Sequence, residues 1–107
     1  MARFTVSVSL RAQRQILELS TYVNEHFGTT YGVRLNKKLT DAVDGLSHMP
    51  TRHTRVRHLI GRRHEYRRAL VGDKHRIIFT VDESALSVEV VRVDLQSSDP
   101  SLLDDLP

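Results

Sequence analysis

Residues 66–82 read Tyr66-Arg67-Arg68-Ala69-Leu70-Val71, then Gly72-Asp73, then Lys74-His75-Arg76-Ile77-Ile78-Phe79-Thr80-Val81-Asp82. Two β-prone runs separated by a Gly-led pair predict a hairpin, because glycine supplies the positive φ that a type II′ turn requires. In the second run His75, Ile77, Phe79 and Val81 share one face, and Arg76, Ile78 and Thr80 share the other. A turn at Asp82–Ala85 leads into a last strand, Leu86–Leu95. Its Val88, Val90, Val91 and Val93 are too apolar for a strand with one wet face, so it is expected inside the sheet.

Upstream of the hairpin the period changes. Phe4, Val6, Val8 and Leu10 alternate with Thr5, Ser7 and Ser9, a short half-buried strand. Ser9 is placed to cap a helix in which Ala12, Ile16, Leu19, Val23 and Phe27 form one apolar stripe, with Gly28 ending it. Thr29 or Thr30 is expected to cap a second helix, whose stripe is Leu35, Leu39, Ala42/Val43 and Leu46, extended by Met49 into the exit. Pro50 forbids further helix. The short link makes the pair an antiparallel αα-hairpin. Residues 51–63 read as a polar, basic loop with an extended piece at Val56–Ile60. The expected order is β-α-α-β-β-β, an α+β fold with an N-terminal strand, a helical hairpin and an antiparallel β-meander.

Bulk properties narrow the function. A chain of 107 residues suits one domain, and 39% hydrophobic residues suffice for one core. The absence of cysteine excludes a disulfide scaffold, a thiol nucleophile and thiolate metal sites. The N-terminus lacks the apolar run of a signal peptide, and no stretch approaches membrane-spanning length, so a cytoplasmic protein without membrane contact is expected. Charge is polarised. Residues 52–76 carry nine Lys/Arg against Glu65 and Asp73, whereas residues 82–107 carry seven acids against Arg92. Such a division suggests a basic working surface for a polyanion or an acidic partner, with Arg57, Arg62, Arg63, Arg67, Arg68, Lys74 and Arg76 as contact candidates. The plainer reading is a solvated surface whose two parts partly neutralise each other. His53, His58 and His64 lack the tight spacing and acidic ligands of a metal site, so neither metal nor other cofactor is expected.

The sequence resembles the RelE/ParE toxin superfamily of type II toxin–antitoxin systems. The resemblance rests on Ser9–Ile16, on Leu19 with Tyr22-Val23, on Leu46 with Pro50, and on Leu59 with Gly61. Tyr66-Arg67, the strand His75–Asp82 and the closing strand Ser87–Gln96 complete it. It spans about residues 4–98, giving a toxin domain at 1–98 and an acidic C-terminal tail at 99–107, whose Leu102, Leu103 and Leu106 either fold back onto the sheet or serve a partner. The resemblance implies a growth-arresting toxin neutralised by a cognate antitoxin encoded beside it, with an acidic C-terminal region. ParE-like members poison DNA gyrase, and RelE-like members cleave mRNA on the ribosome.

The residues lean away from cleavage. Metal-free RNA cleavage needs a base, a stabiliser of phosphate charge and an acid. By resemblance Arg67 and Arg76 match two of the basic strand positions, while Ala69 stands where active members have a second lysine. After Val93, where an arginine and a tyrosine are expected, the chain reads Asp94-Leu95-Gln96-Ser97-Ser98-Asp99. His75, His64 or Tyr66 are the available substitutes for proton transfer. The ordinary alternatives are a packed His75, a half-buried Tyr66 and an Arg76 paired with an acid of the last strand such as Glu89. Gyrase-type poisoning, which needs only a binding surface, is therefore expected over the nuclease. A degenerate, non-toxic module that still binds its partner is the third reading.

Overall fold

The computed structural model describes residues 3–107. The elements are β1 (Thr5–Val8), α1 (Leu10–Phe27), α2 (Thr29–Gly45), β2 (Glu65–Val71), β3 (His75–Asp82) and β4 (Ser87–Leu95). The sheet order is β1-β4-β3-β2. β2, β3 and β4 form the expected antiparallel meander, while β1 lies parallel to β4 and makes the sheet mixed. β4 is thus interior, as its valines require.

The helical hairpin covers one face. Ala12, Leu35, Leu39, Val43 and Leu46 from the helices meet Ala69, Val71, Ile77, Phe79, Val81, Val88, Val90 and Val93 from the sheet. Ser9 does cap α1, its hydroxyl accepting from the Ala12 amide at 3.1 Å. The expected threonine cap of α2 does not form, because Thr29 is already helical. Gly28 at φ +102° both closes α1, donating to the Asn24 carbonyl, and opens α2 by accepting from Tyr31 and Gly32. One residue reverses the chain, and only glycine takes that conformation cheaply. Phe27, assigned to the buried stripe, is 65% exposed at the hairpin tip, and Met49 is exposed at a left-handed φ of 45°.

Three further details depart from expectation. The β2–β3 turn has three residues, Gly72-Asp73-Lys74, since Val71 pairs with His75. Gln96 holds that turn open, its amide donating to the Gly72 and His75 carbonyls and its backbone N–H to Lys74. The extended piece near Val56 sits earlier, at residues 54–56 along the β2 edge. It gives way to a 3-10 turn at Arg57–Leu59. A three-residue period brings Val56 and Leu59 onto one side, where both are buried. Finally, β4 carries a bulge at Val91, because Ile78 pairs with Arg92 but Phe79 with Val90. Val91 and Arg92 consequently both face away from the helices.

The second face has its own apolar cluster. Ile78, Tyr66, Val56 and Leu59 pack with Leu103 and Leu106, and Val91 adjoins them. The leucines arrive through a 3-10 helix, Pro100–Leu103, capped by the Asp99 carboxylate. Residues 99–107 therefore fold back across the sheet. No helix among the described residues is long and apolar enough to cross a membrane.

Candidate functional site

Pairing register decides which of the candidate basic residues share a face. Arg67 lies opposite Phe79, whose ring is in the helix-side core, so Arg67 belongs to the helix side of the sheet. Ala69 and His75 share that side. Arg76 lies opposite Leu70 and alternates with Ile77, so it faces away from the helices. The three residues expected to act together in catalysis, Arg67, Arg76 and His75, are thus split across the sheet.

Each arginine is also engaged. Arg67 Nε donates to Glu65 at 2.8 Å, and its Nη1 donates to the Thr51 and His53 carbonyls at 3.0 and 2.6 Å. It ties the loop after α2 to the edge of β2. Arg76 Nε and Nη2 donate to both oxygens of Asp94 at 2.5 and 3.0 Å, a bidentate pair between directly paired residues of β3 and β4. The acid is Asp94 and not Glu89, which pairs with Thr80. Arg92, brought to the same face by the bulge, adds a bond to Asp94 at 2.7 Å. Arg76 and Asp94 are each 8% exposed, so the pair is close to dry.

The candidate proton carriers are poorly placed. Burial and the neighbouring Lys74 push the His75 pKa down, on the side away from Arg76. Tyr66 is 3% exposed, and burial pushes its phenol up, away from neutral titration. His64 lies edge-on to Tyr66, 6.2 Å between ring centres, and faces solvent. Among the described residues no three His, Asp or Glu side chains converge on a metal-binding point.

The remaining candidates fall into two places. Arg62 and Arg63 hold the folded-back tail, and Arg57 is exposed in the 3-10 turn before them. Arg62 donates to the Leu106 carbonyl at 3.2 Å, and the Arg63 amide donates to the Pro107 carbonyl at 3.0 Å. Arg68 is exposed on the tail side of β2, and Lys74 is exposed in the β2–β3 turn. Lys74 stands at a groove between the helical hairpin and the sheet, where Val23 and Phe27 line two adjoining cavities of about 410 and 630 Å³. Tyr22, Phe27 and Tyr31 are more than half exposed there, and Arg34 lies 5.6 Å over the Tyr31 ring. Sequence reading missed Arg92, whose only signal was its isolation in an acidic stretch, and this aromatic groove, whose rings look like an ordinary helix stripe.

No protein-family model matches the chain, and no curated protein matches it either. Solved structures do resemble it. A chain of the chromosomal ParDE toxin–antitoxin system of P. aeruginosa superposes with a TM-score of 0.70 at 10% identity, covering 87% of this chain and 96% of that one. A chain of a RelBE toxin–antitoxin complex from Mycobacterium tuberculosis gives 0.58 at 20% identity, covering 92% and 97%. One from the archaeal RelE–RelB complex of Pyrococcus horikoshii gives 0.57 at 11%, covering 91% and 99%. The chain has the fold that the RelE/ParE complexes contain.

Proposed function

We propose that this protein is the toxin of a type II toxin–antitoxin pair that arrests growth by binding an essential protein target, with DNA gyrase favoured, and that a cognate antitoxin neutralises it. The observation that carries the non-enzymatic branch is the Arg76–Asp94 pair. The arginine that would stabilise phosphate charge is already neutralised by a carboxylate across the sheet. Its expected basic companion, Arg67, lies on the other face. A buried carboxylate at the phosphate position also repels the substrate at short range. Binding, in contrast, has material: exposed aromatics beside a groove with cationic edges are typical of protein interfaces. The fold likeness to toxin–antitoxin complexes supports the pairing with an antitoxin.

The test is induced expression with and without the adjacent reading frame, followed by primer extension on mRNA and a supercoiling assay with purified gyrase. The expected result is growth arrest relieved by the neighbour, intact mRNA and inhibited supercoiling. Codon-phased mRNA cuts abolished by Arg76→Ala would overturn this branch in favour of the nuclease. Absence of any growth defect would leave the non-toxic partner-binding module.

A further inference from the structure

The acidic terminus is held over the sheet by contacts of two different kinds. Leu103 and Leu106 are 1% and 8% exposed, inserted among Val56, Leu59, Tyr66 and Ile78. The acids between and beside them grip cations at the surface. Asp104 meets His58 Nε2 at 2.5 Å and lies 3.8 Å from Arg62, and Asp105 accepts from Arg11 at 2.7 Å. The Arg11 hydrogen bond holds the Asp105 carboxyl below its usual range. The Arg63 amide closes the end on Pro107.

The cations so engaged come from two separate parts of the chain: Arg11 from α1, and His58 and Arg62 from the basic loop. The segment that neutralises them is nine residues long and tethered through Ser97-Ser98. Every one of its ion pairs is half-exposed, so added salt weakens them. Two leucines and screened ion pairs stand against the entropy of ordering the whole segment. A segment held by so few buried contacts opens before the sheet does.

We propose that residues 99–107 are a releasable acidic strap that masks, in cis, a basic surface made by Arg11, His58 and Arg62 and fit for a polyanion. The carboxylates of Asp104 and Asp105 stand where a ligand's anionic groups would otherwise sit. The proposal concerns this surface alone and does not depend on the nature of the toxin's target.

Hydrogen exchange on the full chain tests release, and retention on immobilised heparin, as the polyanion, tests masking. The amides of Arg63, Asp104 and Leu106 are expected to exchange at least about tenfold faster at about 0.5 M salt than at about 0.05 M, with β3 unchanged. The charge-neutral double substitution Leu103→Ser with Leu106→Ser is expected to remove that protection at low salt and to elute from heparin later than the parent. Leu102→Ser, at a half-exposed position, is expected to match the parent. Tail amides protected as strongly as β3 at both salt concentrations would overturn the strap. Unchanged heparin retention in a variant with an exchanging tail would overturn the masking. None of these readouts needs growth arrest, so failure of the toxin reading is seen separately, in the expression and supercoiling assays.

Discussion

At the scale of single residues the decisive group is Asp94, since it turns two arginines from ligand-binding candidates into structure. Arg76 and Arg92 both donate to it, and Arg76 and Asp94 are nearly dry. A buried pair adds little net stability when compared with a well-packed apolar substitute, but removing one partner strands the other. The three-member arrangement makes that cost asymmetric. Asp94→Ala leaves two guanidinium groups facing each other without a counter-charge and is expected to destabilise by about 3–5 kcal/mol. Arg76→Ala leaves Asp94 still bonded to Arg92, so about 1–3 kcal/mol is expected, the cost of a lost charge-assisted hydrogen-bond pair. Urea unfolding of the two variants checks the order, and equal costs would show that Arg92 does not share the carboxylate. Part of this site was legible beforehand. The strand pattern put Arg76 opposite β4 acids, and Asp94 was plainly wrong for a phosphate site. Choosing Asp94 over Glu89 required the register, and the register turns on one bulged residue, Val91, that no local pattern marks.

At the scale of elements, the helices and strands followed from their periods, and the departures came from joints between them. Ser9, with its hydroxyl, was readable as a cap because capping is local. Gly28 serving two helices at once was not, because a single-residue link depends on how closely the helices approach. Gly32 sets that approach. A Cβ there would stand 2.1 Å from Asn24 Oδ1 and 2.8 Å from the Ser20 carbonyl, and the carbonyl is backbone that cannot swing aside. Gly32→Ala is therefore expected to lose about 1–3 kcal/mol through forced separation of α1 and α2. An unobstructed helical site would gain up to about 1 kcal/mol from the same change. Thermal unfolding distinguishes the two, since they differ in sign. The joint between α1 and β4 makes a similar case. Past Val90, β1 no longer pairs with β4, and the Val93 amide donates instead to Gln15 Oε1 at 2.8 Å. Gln15→Ala should cost about 1–3 kcal/mol, the penalty of an unpaired amide in a buried residue. Gln15→Glu, which keeps an acceptor, should recover most of it.

At the scale of the whole molecule, the helices close one face of the sheet and the chain's own terminus closes the other, so the two faces respond to pH in separate windows. On the helix side His53 and His75 both have pKa values pushed down, by burial first and then by Arg52 and Arg67 for His53 and by Lys74 for His75. Their unfolded forms bind a proton near pH 6.5, whereas the folded forms resist it. Below that pH the unfolded state holds more protons than the folded one. Stability is therefore full above about pH 6.5, falls as the solution is acidified through it, and levels off once the folded groups have titrated. On the tail side Asp99 and Asp105 are pulled down by the Ser101 amide and by Arg11, respectively. Their contribution is present above the ordinary carboxylate value near 3.9 and is lost only as pH falls through the lower folded values. The melting temperature of the parent is thus expected to drop between about pH 7 and pH 5 while the tail stays closed, as judged by exchange of the Arg63 amide. The double variant His53→Gln with His75→Gln should flatten that drop and leave the acid limb below about pH 4 in place. A melting temperature flat from pH 7 to pH 5 in the parent would show that these histidines take up their protons in the folded state without cost. A drop that survives both substitutions would place its origin outside these two histidines.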